Sequence, residues 1–368
     1  MSGNVISLSR HQASKNGGLP ALLKSFAEQR RGSNDVFWLK ENAEILNILE
    51  CTRSAGKLDG IEIYTDVYQD LPKRLAFFPQ YYRFYLSIAS DLEALGMVGD
   101  NARQMSEFVN SRDLPRAELS DLQRGEAMRL LARQGIETRE KNKLNDRLFR
   151  FINHSAGFAL PNRKVAYELT HIVFYLSEYG RKKFVLSKHA IESRIFTGIL
   201  AHLEQNADLL SEVCIALRYA GQNPPEAWEV WIKSVNSGFN VCEFDAGFAD
   251  HYHEFLVCNW ACEVMQNGSF TQSFPVTGAS FYSPVSPLRT LGYISEILLA
   301  WESSRSASWD AIERRIYIAL SDPVAQHLSE VVSATKHFAS FWEYFSRAEA
   351  IHAPTNCLLT PSMLEIAR

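Results

Sequence analysis

Apolar residues recur every three or four positions along most of this chain, the spacing that places them on one face of an α-helix. Val36, Phe37, Trp38 and Leu39, followed by Ala43, Ile45, Leu46, Ile48 and Leu49, predict an amphipathic helix capped by Asn34 or Asp35. Residues 73–95 are the most aromatic segment, with Leu75, Phe77, Phe78, Tyr81, Tyr82, Phe84, Tyr85, Leu86 and Ile88. Pro79 is expected to open a helix there and Gly96 to end it. Two further helices are predicted near 119–134 and 138–153. Beyond Asn162 the pattern becomes regular, with helices near 163–179, 187–204, 206–219, 224–237, 248–266, 288–303, 307–319 and 322–347. Gly180 and Gly221 sit at expected helix ends, and Pro224-Pro225 opens the next segment. Short links of this kind join antiparallel helical hairpins. No fixed sequence period marks a repeat solenoid.

Two stretches break the helical pattern. Residues 60–65, Gly-Ile-Glu-Ile-Tyr-Thr, alternate like a short strand without an evident partner. Residues 267–287 mix Gly, Ser and Pro with Phe270, Phe274, Phe281 and Tyr282. A loop of this length reads either as a lid over a site or as a surface excursion held down by its own aromatics. The division expected is a flexible tail at 1–18, an N-terminal helical segment at 19–135, and a helical-hairpin domain at 136–368 that carries the loop.

The 368 residues are 46% hydrophobic and 22% charged, the balance of a chain with a real core. Net charge is −4 and no long basic run occurs, which argues against nucleic acid as the main partner. No apolar stretch reaches the length of a membrane span, and the first residues lack the apolar core of a signal peptide. The six cysteines include no CxxC pair, and Cys214 reads as a core residue. These features together lead to an expected cytoplasmic location.

Candidate chemistry lies on two helices. On the first, Val165, Leu169, Ile172 and Leu176 form a core stripe, and Glu168, His171, Tyr175 and Glu178 run beside it. A carboxylate one turn before an imidazole can orient it as a general base or a metal ligand. On the second, Asp250-His251-Tyr252-His253-Glu254 leads into an apolar run through Cys262 interrupted by Asn259, which needs partners if buried. His251 and His253 fall on different sides if the segment is helical. His171, His251 and His253 are the candidate metal ligands, with a divalent ion such as zinc as the candidate cofactor. Asn153-His154-Ser155 is a weaker candidate. There is no phosphate-binding glycine loop, GxSxG elbow or HExxH motif. Asp208 and the pair Asp245 and Asp250 read as too isolated to hold a magnesium diphosphate.

Tyr167–Gly180, then Asp208-Leu209-Leu210-Ser211-Glu212, then Asp250–His253, resemble uncharacterised bacterial helical families, some found beside natural-product or peptide-modification genes. The Phe37–Asn42 opening is similar to alphaproteobacterial members of unknown function. The resemblance implies an all-α fold of helical hairpins closed into an α/α-toroid, with Glu168, His171, His251 and His253 turned inward. It transfers no reaction. The expected function is an enzyme of secondary metabolism acting on a small molecule or peptide. His171 would be base or ligand, Glu168 its orienter, and His251 or His253 the second group. Tyr175 and Trp260 would shape an aromatic pocket under the 267–287 loop. The alternative is a non-enzymatic helical scaffold that binds a partner on a concave surface. Oligomeric state is not legible in the sequence.

Overall fold

A computed structural model describes residues 16–52, 57–138, 141–183, 185–245, 250–266 and 268–348. Most of the expected tail and Cys357 lie outside the described residues. The protein is all-α, with sixteen α-helices and two small two-stranded antiparallel sheets among the described residues.

The N-terminal third holds α1 (Leu19–Lys24), α2 (Val36–Thr52), α3 (Thr65–Phe77), α4 (Tyr82–Ala94), α5 (Asn101–Ser111) and α6 (Asp121–Arg133). It is followed by α7 (Lys141–Ile152), α8 (Arg163–Leu176), α9 (Lys188–Glu204), α10 (Ala207–Tyr219), α11 (Glu226–Gly238) and α12 (Tyr252–Val264). The chain continues through α13 (Thr290–Trp301), α14 (Trp309–Ala319), α15 (Asp322–Ala334) and α16 (Phe338–Phe345). Side-chain caps begin the helices that matter most for the site. Asn162 accepts the Val165 N–H at the start of α8, Ser187 caps α9, and Asn206 accepts the Leu209 N–H at the start of α10.

Pro72 sits inside α3 and leaves the Tyr68 carbonyl without its usual intrahelical partner. Asn101 Nδ2 from the start of α5 fills that gap at 2.8 Å, so the proline becomes a docking point for a neighbouring helix. Residues 60–65 do not form a strand. Ile61–Tyr64 is a 3₁₀ turn whose Ile61 and Tyr64 are buried beside α3. The alternation that looked like a strand is a short turn burying every third residue.

The centre of the molecule is filled by a helix. α10 packs on α8, α9, α11 and α12, and its residues Leu209–Leu217 are buried without a break. α12, buried from Phe255 to Cys262, lies between α10, α11 and α2. The all-α class of the sequence reading holds. The closing of the hairpins into a toroid is not shown by these contacts. Packing also crosses the expected boundary at 135/136, since α2 contacts α12 and α6 contacts α7 and α8.

Residues 268–287 form two strands. β3 (Phe274–Pro275) pairs with β1 (Asn16–Gly17), and β4 (Ala279–Tyr282) pairs with β2 (Asn240–Glu243). Phe274 and Phe281 are fully buried, and Phe281 stacks on Phe255 of α12 at 4.4 Å. Buried Asn259 is satisfied here: its Nδ2 donates to the Phe255 carbonyl, and its Oδ1 accepts from the Phe270 N–H at 2.7 Å. The segment is therefore anchored by its own aromatics. Beside it, Arg30 is buried between Glu41 and Asp250 and also donates to the Ala279 carbonyl at 2.6 Å.

Candidate functional site

Helices α2, α8, α10 and α12 meet at one cavity of about 210 Å³ that α4 and α6 close on one side. α2 contributes Lys40, Glu44 and Asn47, one helical face at i, i+4 and i+7. α8 contributes His171, Phe174 and Tyr175. α10 contributes Glu212, and α12 contributes His253, Val257 and Trp260. Phe84 of α4 and Glu126 of α6 complete one side, where Arg83 pairs with Glu126.

The apolar wall is aromatic. Trp260 lies 4.8 Å from Phe174 and 5.7 Å from Tyr179 between ring centroids, and its Nε1 donates to the Tyr219 hydroxyl at 3.0 Å. Tyr175 lines the cavity with its hydroxyl pKa raised by burial.

The polar wall is a cluster of imidazoles and carboxylates. His253 is held from both sides: Nδ1 meets Glu44, and Nε2 lies 3.2 Å from Asp208 Oδ1. Burial alone would lower the His253 pKa, but the charges of Glu44 and Asp208 outweigh it and push it up to about 12. Asp208 is opposed by burial in the same way, and the nearby His253 cation brings its pKa below the ordinary value. Tyr167 donates its hydroxyl to Asp208 Oδ2 at 2.6 Å. Although Asp208 Oδ1 is within ion-pair distance of His253, it is a buried oxygen without a hydrogen bond, so the ring N–H is not aimed along that line.

Glu212 lies one turn after Asp208 on the same face of α10. It is 2% exposed, and Thr170 donates its hydroxyl to Oε2. Burial, the largest influence, raises its pKa against the pull of His171. His171 Nδ1 lies 2.7 Å from the Tyr167 carbonyl and 3.6 Å from Glu212 Oε2. A carbonyl only accepts, so Nδ1 carries a proton, and Nε2 is the ring nitrogen outside that contact. The site thus holds an imidazole, a buried carboxyl and a clamped cation in one small space.

Of the residues singled out in the sequence, the structure brings His171, His253, Tyr175 and Trp260 together. Glu168 is not the orienter of His171; it lines no part of the cavity, because the neighbouring helix α10 supplies Glu212 to that ring instead. His251 is exposed on the residue before α12, where its Nδ1 accepts from the Ser283 N–H at 3.4 Å. One residue step beyond the helix start turns it away from His253. His154 is exposed outside the cavity, and the 268–287 segment contributes no lining residue. Asp208, Glu212 and Glu44 were not expected to take part. The available signal was Asp208-x-x-x-Glu212 inside an otherwise apolar helix, where two carboxylates on one buried face require partners.

A larger groove of about 760 Å³ lies elsewhere, between Val36, Phe77, Phe78, Tyr81 and Tyr85. Its polar lining is Asp35, Asp70, Lys73 and Arg74 with Ser33 and Asn34. No helix among the described residues is long and apolar enough to cross a membrane.

No curated protein and no solved structure matches this chain. Residues 2–348 match a family described as a domain of unknown function, and by that match the chain belongs to the DUF6902 family.

Proposed function

We propose that this protein is an enzyme that acts on a small molecule or peptide by acid–base chemistry in the cavity between α2, α8, α10 and α12. One observation carries this reading: His171 and His253, on helices far apart in sequence, meet Glu212 and Glu44 at a single aromatic-walled cavity, with Asp208 paired to His253 beside it. Grouped acid–base residues with opposed pKa shifts are a mark of catalytic sites. His171 serves as the base through Nε2, Glu212 as the buried carboxyl that delivers or receives the proton, and the His253 cation as the group that stabilises developing negative charge. At about 210 Å³ the cavity is below the usual range of about 300–1,000 Å³ for drug-sized ligands, so a small metabolite or one side chain of a peptide fits it. The donor set also fits a divalent ion, and a place in secondary metabolism remains part of the proposal.

The test compares metabolite profiles of cells producing the wild-type chain, cells producing His171→Ala at the same folded level, and cells producing neither. Masses that depend on the wild-type chain are expected to disappear with His171→Ala. A folded His171→Ala that supports the same masses overturns the assignment.

A second reading, a scaffold that binds a partner, is supported by exposed Val36, Phe77 and Phe78 along the larger groove. Replacing Phe77 and Phe78 with Ser tests it. Under the scaffold reading the phenotype follows these residues and is unaffected by His171→Ala.

A further inference from the structure

We propose that Asp208, Glu212 and His253 bind a divalent first-row transition-metal ion. The inference deepens the reading above: the ion would take the place of the proton on His253 Nε2, and with it the stabilisation of negative charge that the His253 cation supplies in the metal-free site. Each of the three offers one ligand atom, and these atoms lie within 4.8 Å of one another. Donors bound about 2.0–2.2 Å from an ion lie roughly 3–4 Å apart, so the side chains need to draw in by less than about 1 Å.

A second, independent observation concerns the far side of each ligand. His253 Nδ1 is held by Glu44, Asp208 Oδ2 accepts from Tyr167, and Glu212 Oε2 accepts from Thr170. Metal ligands are oriented in just this way, by partners on the atom that does not bind the ion. What remains is His253 Nε2, Asp208 Oδ1 and Glu212 Oε1. Asp208 Oδ1 is buried and accepts no hydrogen bond, and Glu212 lines the cavity with a side chain that is 2% exposed. Asp208 Oδ1 has been removed from water without a hydrogen-bond donor in exchange, a cost that a bound cation would remove.

The chemistry of the donors selects the class of ion. Two carboxylates with an imidazole suit manganese, iron, cobalt or zinc in the divalent state. The imidazole disfavours calcium and magnesium, and among the described residues no cysteine lines the cavity to favour copper(I). His171, whose Nε2 lies outside the Tyr167 contact, stands next to Glu212 as a fourth ligand or as a base for metal-bound water.

The test uses the whole chain, stripped with chelator and dialysed, and titrated separately with manganese(II), zinc(II) and cobalt(II) by calorimetry and visible absorption. The expected result is about one equivalent bound, with cobalt d–d bands that show protein ligands. Glu212→Gln, which keeps the shape of a buried carboxyl, is expected to weaken binding more than about tenfold, whereas Glu168→Gln leaves it unchanged. If Glu212→Gln does not fold, Tyr167→Phe takes its place, with an expected loss of about tenfold or more from disturbing Asp208. Absence of binding by all three ions, or equal binding by wild type and the folded variant, overturns the site. Metal binding is read without substrate, so it is separate from the catalytic reading. No binding together with a silent His171→Ala ends the metal proposal alone. Binding together with an active His171→Ala supports the metal site and ends the catalytic role of that histidine.

Discussion

Glu168 and Glu212 show what a sequence can say about a single side chain. Glu168 precedes His171 by three positions, so helical geometry made it the natural partner. The packing of α10 against α8 decided otherwise, and Glu212, 41 positions further along, took the ring. Local spacing was legible; the partner from another helix was not. The two imidazoles themselves were legible, because polar residues on apolar helices demand an explanation. Arg30 is a second case of a long-range partner without a local signal. It is 7% exposed, joins Glu41 of α2 to Asp250 at the approach to α12, and faces the ring of Tyr252 at 5.2 Å. Removing one member of a buried charge group leaves the others desolvated and unpaired, at a cost of about 3–5 kcal/mol. Arg30→Met is expected to lose about that much in denaturant unfolding. A loss below about 1 kcal/mol contradicts the picture of a buried ion-pair joint.

At the scale of elements, helix existence was read well from periodicity and helix ends less well. The segment predicted as 322–347 is two helices, α15 and α16, split at Thr335–His337. α5 was not anticipated, since Asn101–Ser111 carries few apolar residues and buries only a narrow face. The strands β2 and β4 were hidden because each is short and their pairing crosses the whole of α12. The join between α9, α13 and α15 makes a separate prediction. His202 of α9 and His327 of α15 are buried, with rings 5.7 Å apart, and His327 Nδ1 shares a hydrogen bond of 2.7 Å with Thr290 of α13. Burial, followed by the charge of His327, brings the His202 pKa down to about 4, and burial lowers that of His327. Both folded-state values lie below the ordinary 6.5, so the fold prefers neutral rings. Stability from this join is present above about pH 6.5 and is lost as pH falls toward 4. The melting temperature of the wild-type chain should therefore fall over this range, and that of His202→Asn, which cannot be protonated there, should fall less. Parallel curves for the two proteins would remove the join from the account.

On the scale of the whole molecule, the sequence identified an all-α chain, and its resemblance pointed to a hollow ring. The class follows from composition and period. The ring is not shown by the packing, in which Leu209–Leu217 of α10 are buried throughout. What opening there is lies beside α10, where Asp208 and Glu212 interrupt the apolar surface, and it draws on both the N-terminal helices and the later ones. The site is thus a product of the complete packing. Glu44 of α2 and Asp208 of α10 reach His253 only because α12 lies between their helices. This arrangement has a direct physical signature. The two carboxylates hold the His253 imidazole as a cation up to a pKa of about 12, well above the ordinary 6.5. With its folded pKa raised, the stabilising contribution of this ring is complete below about pH 6.5 and is lost only as pH rises toward 12. The decisive measurement is an NMR titration of the His253 ring in chelator-treated protein, assigned with His253→Gln. The account predicts a ring that stays protonated, with no midpoint, between about pH 5 and 9. A midpoint close to the ordinary value would contradict the convergence of Glu44, Asp208 and His253 on which the site depends.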